Sequence, residues 1–155
     1  MRAYIAGLDV KEITSVTAPP SLSSMKPYHS KDTPTFVIRQ NGDAWDRPFA
    51  VVYEAGFGEE GKGTVESVEA LDQKGRFCGF KISSTVGGRK LTEYALILES
   101  DQQYTDPGLD LSFEGHFAIL TPEGNGGSGS LYLGDSGSIR FGERSLSGKP
   151  KLVEW

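Results

Sequence analysis

The sequence predicts an all-β fold: a jelly-roll-like β-sandwich of about eleven short antiparallel strands. Three observations carry that prediction. Runs of β-branched and aromatic residues recur about every 8 to 14 residues, each bounded by Gly, Asp, Asn or Pro. Twenty glycines and eight prolines are spread along the whole chain instead of gathering in one linker, which is what many tight turns require. No stretch carries apolar residues at helical period, and no internal repeat is present.

Taken in order, Met1 to Gly7 is a short apolar lead-in, and Lys11 to Ala18, KEITSVTA, is a β-branched run stopped by Pro19 and Pro20. Ser21 to Pro34 is polar and aperiodic and reads as a long loop. Thr35 to Arg39 and Pro48 to Glu54 are two β-forming runs, a hairpin or a sheet-crossing pair, joined by a turn-rich segment that contains Trp45. Phe49, after Pro48, is expected to point into the sandwich. Thr64 to Leu71 is a strand whose Val65 and Val68 break alternation and so imply a bulge. DQKG makes a tight turn into Arg76 to Ser83, which pairs with Lys90 to Glu99. Strict alternation there puts Cys78, Phe80 and Ile82 on one face. Tyr94, Leu96 and Leu98 share a face while Ala95 and Ile97 take the other, the pattern of a central strand covered on both sides. Shorter strands follow at Leu109 to Phe113, His116 to Thr121, Ser130 to Gly134, Ser138 to Phe141 and Lys151 to Glu154. GNGGSGS, Gly124 to Ser130, reads as a mobile hairpin loop.

At 155 residues the expectation is one domain, 1–155, large enough to fold without staples. A net charge of -5 lacks the electrostatic footprint of a nucleic-acid binder. The single cysteine, Cys78, sits in the apolar run FCGF and reads as a buried small residue, not a nucleophile. No segment has the roughly 20 apolar residues of a membrane span. The N-terminus lacks the apolar core of a signal peptide, so export would need an upstream part.

Chemistry-bearing patterns are sparse. His29 and His116 have no partner ligand at zinc spacing, and no metal or cofactor is implied. His116 is expected to satisfy a nearby backbone group. No G-x-S-x-G is present, and GFGEEGKG at Gly56 to Gly63 lacks the ending and the helix of a phosphate loop. Glu59 with Glu60, and Asp43 with Asp46, read as solvated turn charges. The segment that stands out is aromatic and cationic: Arg39, Trp45, Arg47 and Tyr53, with Phe49 among them. An exposed Trp beside Arg can stack on a sugar face and pair with its carboxylate or sulfate. The reading preferred from sequence is that Trp45 packs over the sandwich edge and Arg47 pairs with a local acid.

The segment RQNGDAWDRPFAVVYEAG, with VTAPPS upstream and VESVEAL downstream, resembles the C-terminal β-domain of bacterial heparinase II/III-like polysaccharide lyases. The likeness runs across most of Lys11 to Leu98. It implies an accessory C-terminal β-sandwich whose partners are the catalytic domains of a parent lyase, an α/α-toroid and a central β-sheet domain absent from this chain. It implies a periplasmic or extracellular location as part of that parent. The family's β-elimination groups come from those other domains, so the resemblance assigns no catalytic residue here. The alternative is an independent binding module for an acidic polysaccharide, contacted through Arg39, Trp45, Arg47 and Tyr53. A small lyase complete in itself ranks third. The accessory reading predicts an apolar patch of several hundred Å² where the other domains dock; the module reading predicts a groove with exposed rings. Neither reading involves nucleic acid or a membrane.

Overall fold

Short β-forming runs can bury their apolar faces only by stacking sheet on sheet. The computed structural model describes residues 2–7, 11–18, 33–44, 46–55, 63–123 and 128–155, and among them it contains strands and no helix. The strands are β1 Arg2–Ala6, β2 Lys11–Ala18, β3 Thr33–Gln40, β4 Ala50–Glu54, β5 Val65–Gln73, β6 Arg76–Val86 and β7 Arg89–Ile97. They continue with β8 Gln103–Asp106, β9 Leu111–Gly115, β10 Phe117–Thr121, β11 Ser130–Leu133, β12 Gly137–Phe141, β13 Arg144–Gly148 and β14 Lys151–Glu154.

The chain divides into two compact units, Asp9–Asp43 and the remainder, Met1–Leu8 with Ala44–Trp155. The smaller unit is built on an antiparallel pairing of β2 with β3, in register from Lys11 opposite Gln40 to Ala18 opposite Thr33. Pro34 lies in β3, which has β2 as its one neighbour in that two-stranded sheet, so a missing N–H is tolerated.

The larger unit is a sandwich. A six-stranded sheet in the order β14-β11-β10-β7-β6-β5 faces a four-stranded sheet in the order β13-β12-β9-β8. The chain passes between the sheets at β7–β8, β9–β10, β11–β12 and β13–β14, so successive strands feed one interior. That interior holds Tyr94, Leu96, Ala118, Leu120, Leu131 and Leu133 from one side and Tyr104, Leu111, Phe113, Ile139 and Leu146 from the other. Leu96, Ala118, Leu120 and Leu133 are fully buried, and each buried leucine contributes about 1.5–3 kcal/mol. Trp155 closes one end: its backbone exchanges two hydrogen bonds with Gly129, its ring stacks on Phe141 at 6.3 Å, and the Arg144 guanidinium lies 4.3 Å from the ring centre.

A third, partial layer covers the outer face of β5 and β6. The β1–β4 ribbon lays Ala6, Ala50 and Val52 on Val68, Ala70, Phe77, Phe80 and Ile82. It is tied down at Glu54, whose carboxylate accepts from the Val65 amide at 2.9 Å, the Thr64 amide and the Tyr4 hydroxyl at 3.2 Å. The Tyr4 hydroxyl also reaches the Val65 carbonyl at 2.8 Å. These donors, the Val65 amide first, hold the Glu54 carboxyl below its ordinary range.

Several expectations change in the folded chain. The two runs around Trp45 are not each other's partners: β3 pairs with β2, and β4 pairs with β1. Strand content alone cannot choose partners, and the lead-in at Met1 to Gly7 turns out to carry β1. Phe49 does not point into the sandwich; it precedes β4 and is 49% exposed. Cys78 is buried, but on the opposite face from Phe80 and Ile82. A register shift between Leu71 and Asp72 takes Cys78 out of the ladder, so that Phe77, not Cys78, joins Phe80. Gly79 makes this possible: at φ 127° a Cβ there would stand 2.0 Å from the Ala95 carbonyl oxygen. The bulge expected early in β5 is present between Val65 and Ser67, and the DQKG turn has Lys74 and Gly75 both at positive φ, as a tight hairpin needs. β8 and β13 are additional to the strands expected from the sequence; each is short and carries one buried side chain, Tyr104 and Leu146. His29, the loop over residues 21–32 and positions 124–127 of GNGGSGS lie outside the described residues.

Candidate functional site

The residues singled out from sequence fall in different places. Arg39 is exposed on β3, in the smaller unit. Trp45 lies outside the described residues. Arg47 is exposed just before β4, and its guanidinium reaches the β5–β6 turn, 3.9 Å from where a Cβ on Gly75 would stand. Tyr53, 67% exposed, is near the far end of β4 opposite Ala3. Six residues of extended chain, about 20 Å, separate it from Arg47, so Arg47 and Tyr53 do not form one cluster.

A polar groove of about 550 Å³ is lined by Gln73, Lys74, Arg76, Asp101, Gln103 and Thr105, with Cys78 and Gln102 in its wall. The β5–β6 turn, the β7–β8 connection and β8 meet there. Arg76 organises it: Nε donates to Asp46 at 2.6 Å, and the two terminal nitrogens reach the Asp101 carboxylate at 3.2 and 3.3 Å. The hydrogen bond from Arg76 holds the Asp101 carboxyl below its usual range, and the same bond raises Arg76. Gln73 and Thr105 exchange side-chain and backbone bonds at 2.9 and 2.8 Å, and the buried Gln102 accepts from the Glu99 amide at 2.9 Å. Burial pushes the Cys78 thiol up, away from thiolate chemistry. Chemically the groove offers amides and hydroxyls to a polar ligand, around a cation already matched by two carboxylates. Sequence reading missed it because Asp46 and Asp101 lie 30 and 25 positions from Arg76, with no local motif joining them.

A second groove, about 420 Å³, is apolar: Phe49, Val51, Phe77, Phe80, Ile97 and Leu98 line it, with Glu99 and Gln102 at one side. Phe49 is thus part of an open surface. Burial pushes the Tyr104 hydroxyl up to about 12 and raises that of Tyr94, so both stay neutral near pH 7. His116 does not serve a backbone group as expected; its Nδ1 lies 3.3 Å from Asp135, and both are exposed. Among the described residues no three His, Cys, Asp or Glu side chains gather as metal ligands, and no helix is long and apolar enough to cross a membrane.

Comparison with known proteins bears on this geometry. A family model described as the endo-acting ulvan lyase C-terminal domain matches residues 65–152, the stretch that supplies nearly all of the sandwich. An endo-acting ulvan lyase of Formosa agariphila is 31% identical over 137 residues, covering 88% of this chain but 16% of that protein. No solved structure matches.

Proposed function

Because the chain belongs to the family of endo-acting ulvan lyase C-terminal domains, we propose that it is the accessory β-sandwich of a polysaccharide lyase, residues 1–155 working as one domain that supports catalytic domains outside this chain. The observation that carries this reading is the coverage: nearly the whole chain aligns, yet it accounts for a small part of the relative. The proposed parent is a bacterial, heparinase II/III-like lyase acting by β-elimination on ulvan or a similar polysaccharide, in the periplasm or outside the cell. The test is to incubate the purified chain with ulvan, heparin and alginate and follow the absorbance of unsaturated product. No product is expected from the chain alone. Its addition to the separately expressed catalytic portion should raise that portion's thermal midpoint. Reproducible product from the chain, lost on substituting one of its own Tyr or His residues, overturns the reading.

The exposure of Arg47 and Tyr53 favours a second reading, contact with an extended glycan at these two separate points of the larger unit. Affinity electrophoresis in ulvan-containing gels decides it: retardation lost in both Arg47→Ala and Tyr53→Ala, with stability kept, supports it, and unretarded migration of the parent chain rejects it.

A further inference from the structure

We propose that the outer face of the six-stranded sheet is the surface on which the catalytic portion of the lyase docks; this deepens the accessory-domain reading and rests on it. The argument starts from register. Ile97 stands opposite Phe117, Ala95 opposite Ile119, Ile119 opposite Tyr132 and Tyr132 opposite Leu152. Directly paired residues share a face, so these six apolar side chains cross β7, β10, β11 and β14 on the side away from the sandwich interior. Ile97 is 42% and Leu152 53% exposed, and the Phe117 and Tyr132 rings meet edge to face at 6.2 Å.

A sheet with one face in water alternates apolar with polar, while a sheet apolar on both faces has cover on both. The β1–β4 ribbon gives that cover over β5 and β6, while Ile97 on β7 and Leu152 on β14 stay exposed. The uncovered part continues into the 420 Å³ groove through Ile97 and Phe49. Monomeric proteins rarely leave an apolar stretch of this kind bare unless it meets another surface.

The occupant follows from what else the polypeptide contains. In the relative the matched stretch is 16% of the length, so the body of protein in constant proximity to this domain is the rest of the lyase. The face suits protein better than glycan: Tyr132 has the one polar side-chain atom among its six residues, whereas a sugar needs many. Carboxylates stand at the margins, Glu93 opposite Ile82, Glu154 opposite Ser130 and Glu99 beside the groove. A partner surface that is apolar in the middle and carries Lys or Arg around it is complementary to this.

The test uses the full 155-residue chain, the double variant Ile97→Glu/Leu152→Glu, and Ser145→Glu/Ser147→Glu on the opposite sheet as control. Calorimetric titration into the separately expressed catalytic portion should show binding by the parent chain and the control, and at least tenfold weaker binding by the double variant with its thermal midpoint kept. Leu152→Glu alone, on edge strand β14, replaces the double variant if that does not fold. If the parent chain binds and the variant binds equally, this face is wrong and the accessory reading stands. If the parent chain does not bind at all, the accessory reading falls and this proposal with it. A dimer of the parent chain seen in sedimentation and lost in the variant assigns the face to a second copy and overturns the proposal. Ulvan binding lost in the variant while lyase binding persists also overturns it.

Discussion

On the outside of the four-stranded sheet stand Gln103, Thr105, Ser112, Glu114, Ser138 and Arg140, related by direct pairing; on the outside of the six-stranded sheet stand Phe80, Ala95, Ile97, Ile119, Phe117 and Tyr132. The inner faces of the two sheets are alike in chemistry. The difference teaches that alternation reports what each face meets: the polar outer face meets water, while part of the apolar one already carries the β1–β4 ribbon. Beyond the ribbon, Ile97 and Leu152 on that apolar face stay 42% and 53% exposed, which leaves it open to contacts beyond the sandwich.

Substitutions of decreasing effect test that division. Leu120→Ala removes a fully buried side chain between the sheets and should cost about 2–5 kcal/mol in a denaturant melt. A loss below about 1 kcal/mol there would deny the sandwich interior its role. Phe49→Ala acts on the outer surface and should cost about 1 kcal/mol, because the ring is only half removed from water. A loss as large as that of Leu120→Ala would show that the outer groove is core.

Arg76→Gln should act mainly through pH. The Asp101 carboxyl is held low by Arg76, so it is ionised in the folded chain at pH values where the unfolded chain already takes up protons. Its stabilisation is therefore present above the unfolded value of about 4 and lost as pH falls through the lower folded value. Thermal midpoints measured from neutral pH downward should fall less steeply in Arg76→Gln than in the parent chain. An unchanged acid limb would separate Arg76 from Asp101. Asp135→Asn should change the midpoint least, since its pair with His116 is exposed on both sides; a large loss would mean that this end of the sandwich depends on it.

Period-two patterning and turn residues in the sequence already determined the all-β class, the DQKG turn between β5 and β6, the pairing of β6 with β7, the bulge in β5, and the facing of Tyr94, Leu96 and Leu98. Those features are local, set by alternation and turn residues within about ten positions. The family resemblance likewise reached the correct broad class, a polysaccharide lyase C-terminal domain. Only tertiary structure decided that β4 pairs with the lead-in strand, that Cys78 and Phe80 take opposite faces, and that Phe49 lines an open groove. It alone joined Arg76 to Asp46 and Asp101. Strand pairing and long-range ion pairs depend on which distant segments meet, and identical local patterns are compatible with many partners. A single bulge reverses the facing of every side chain beyond it, so alternation read along one strand loses its sense where the ladder slips.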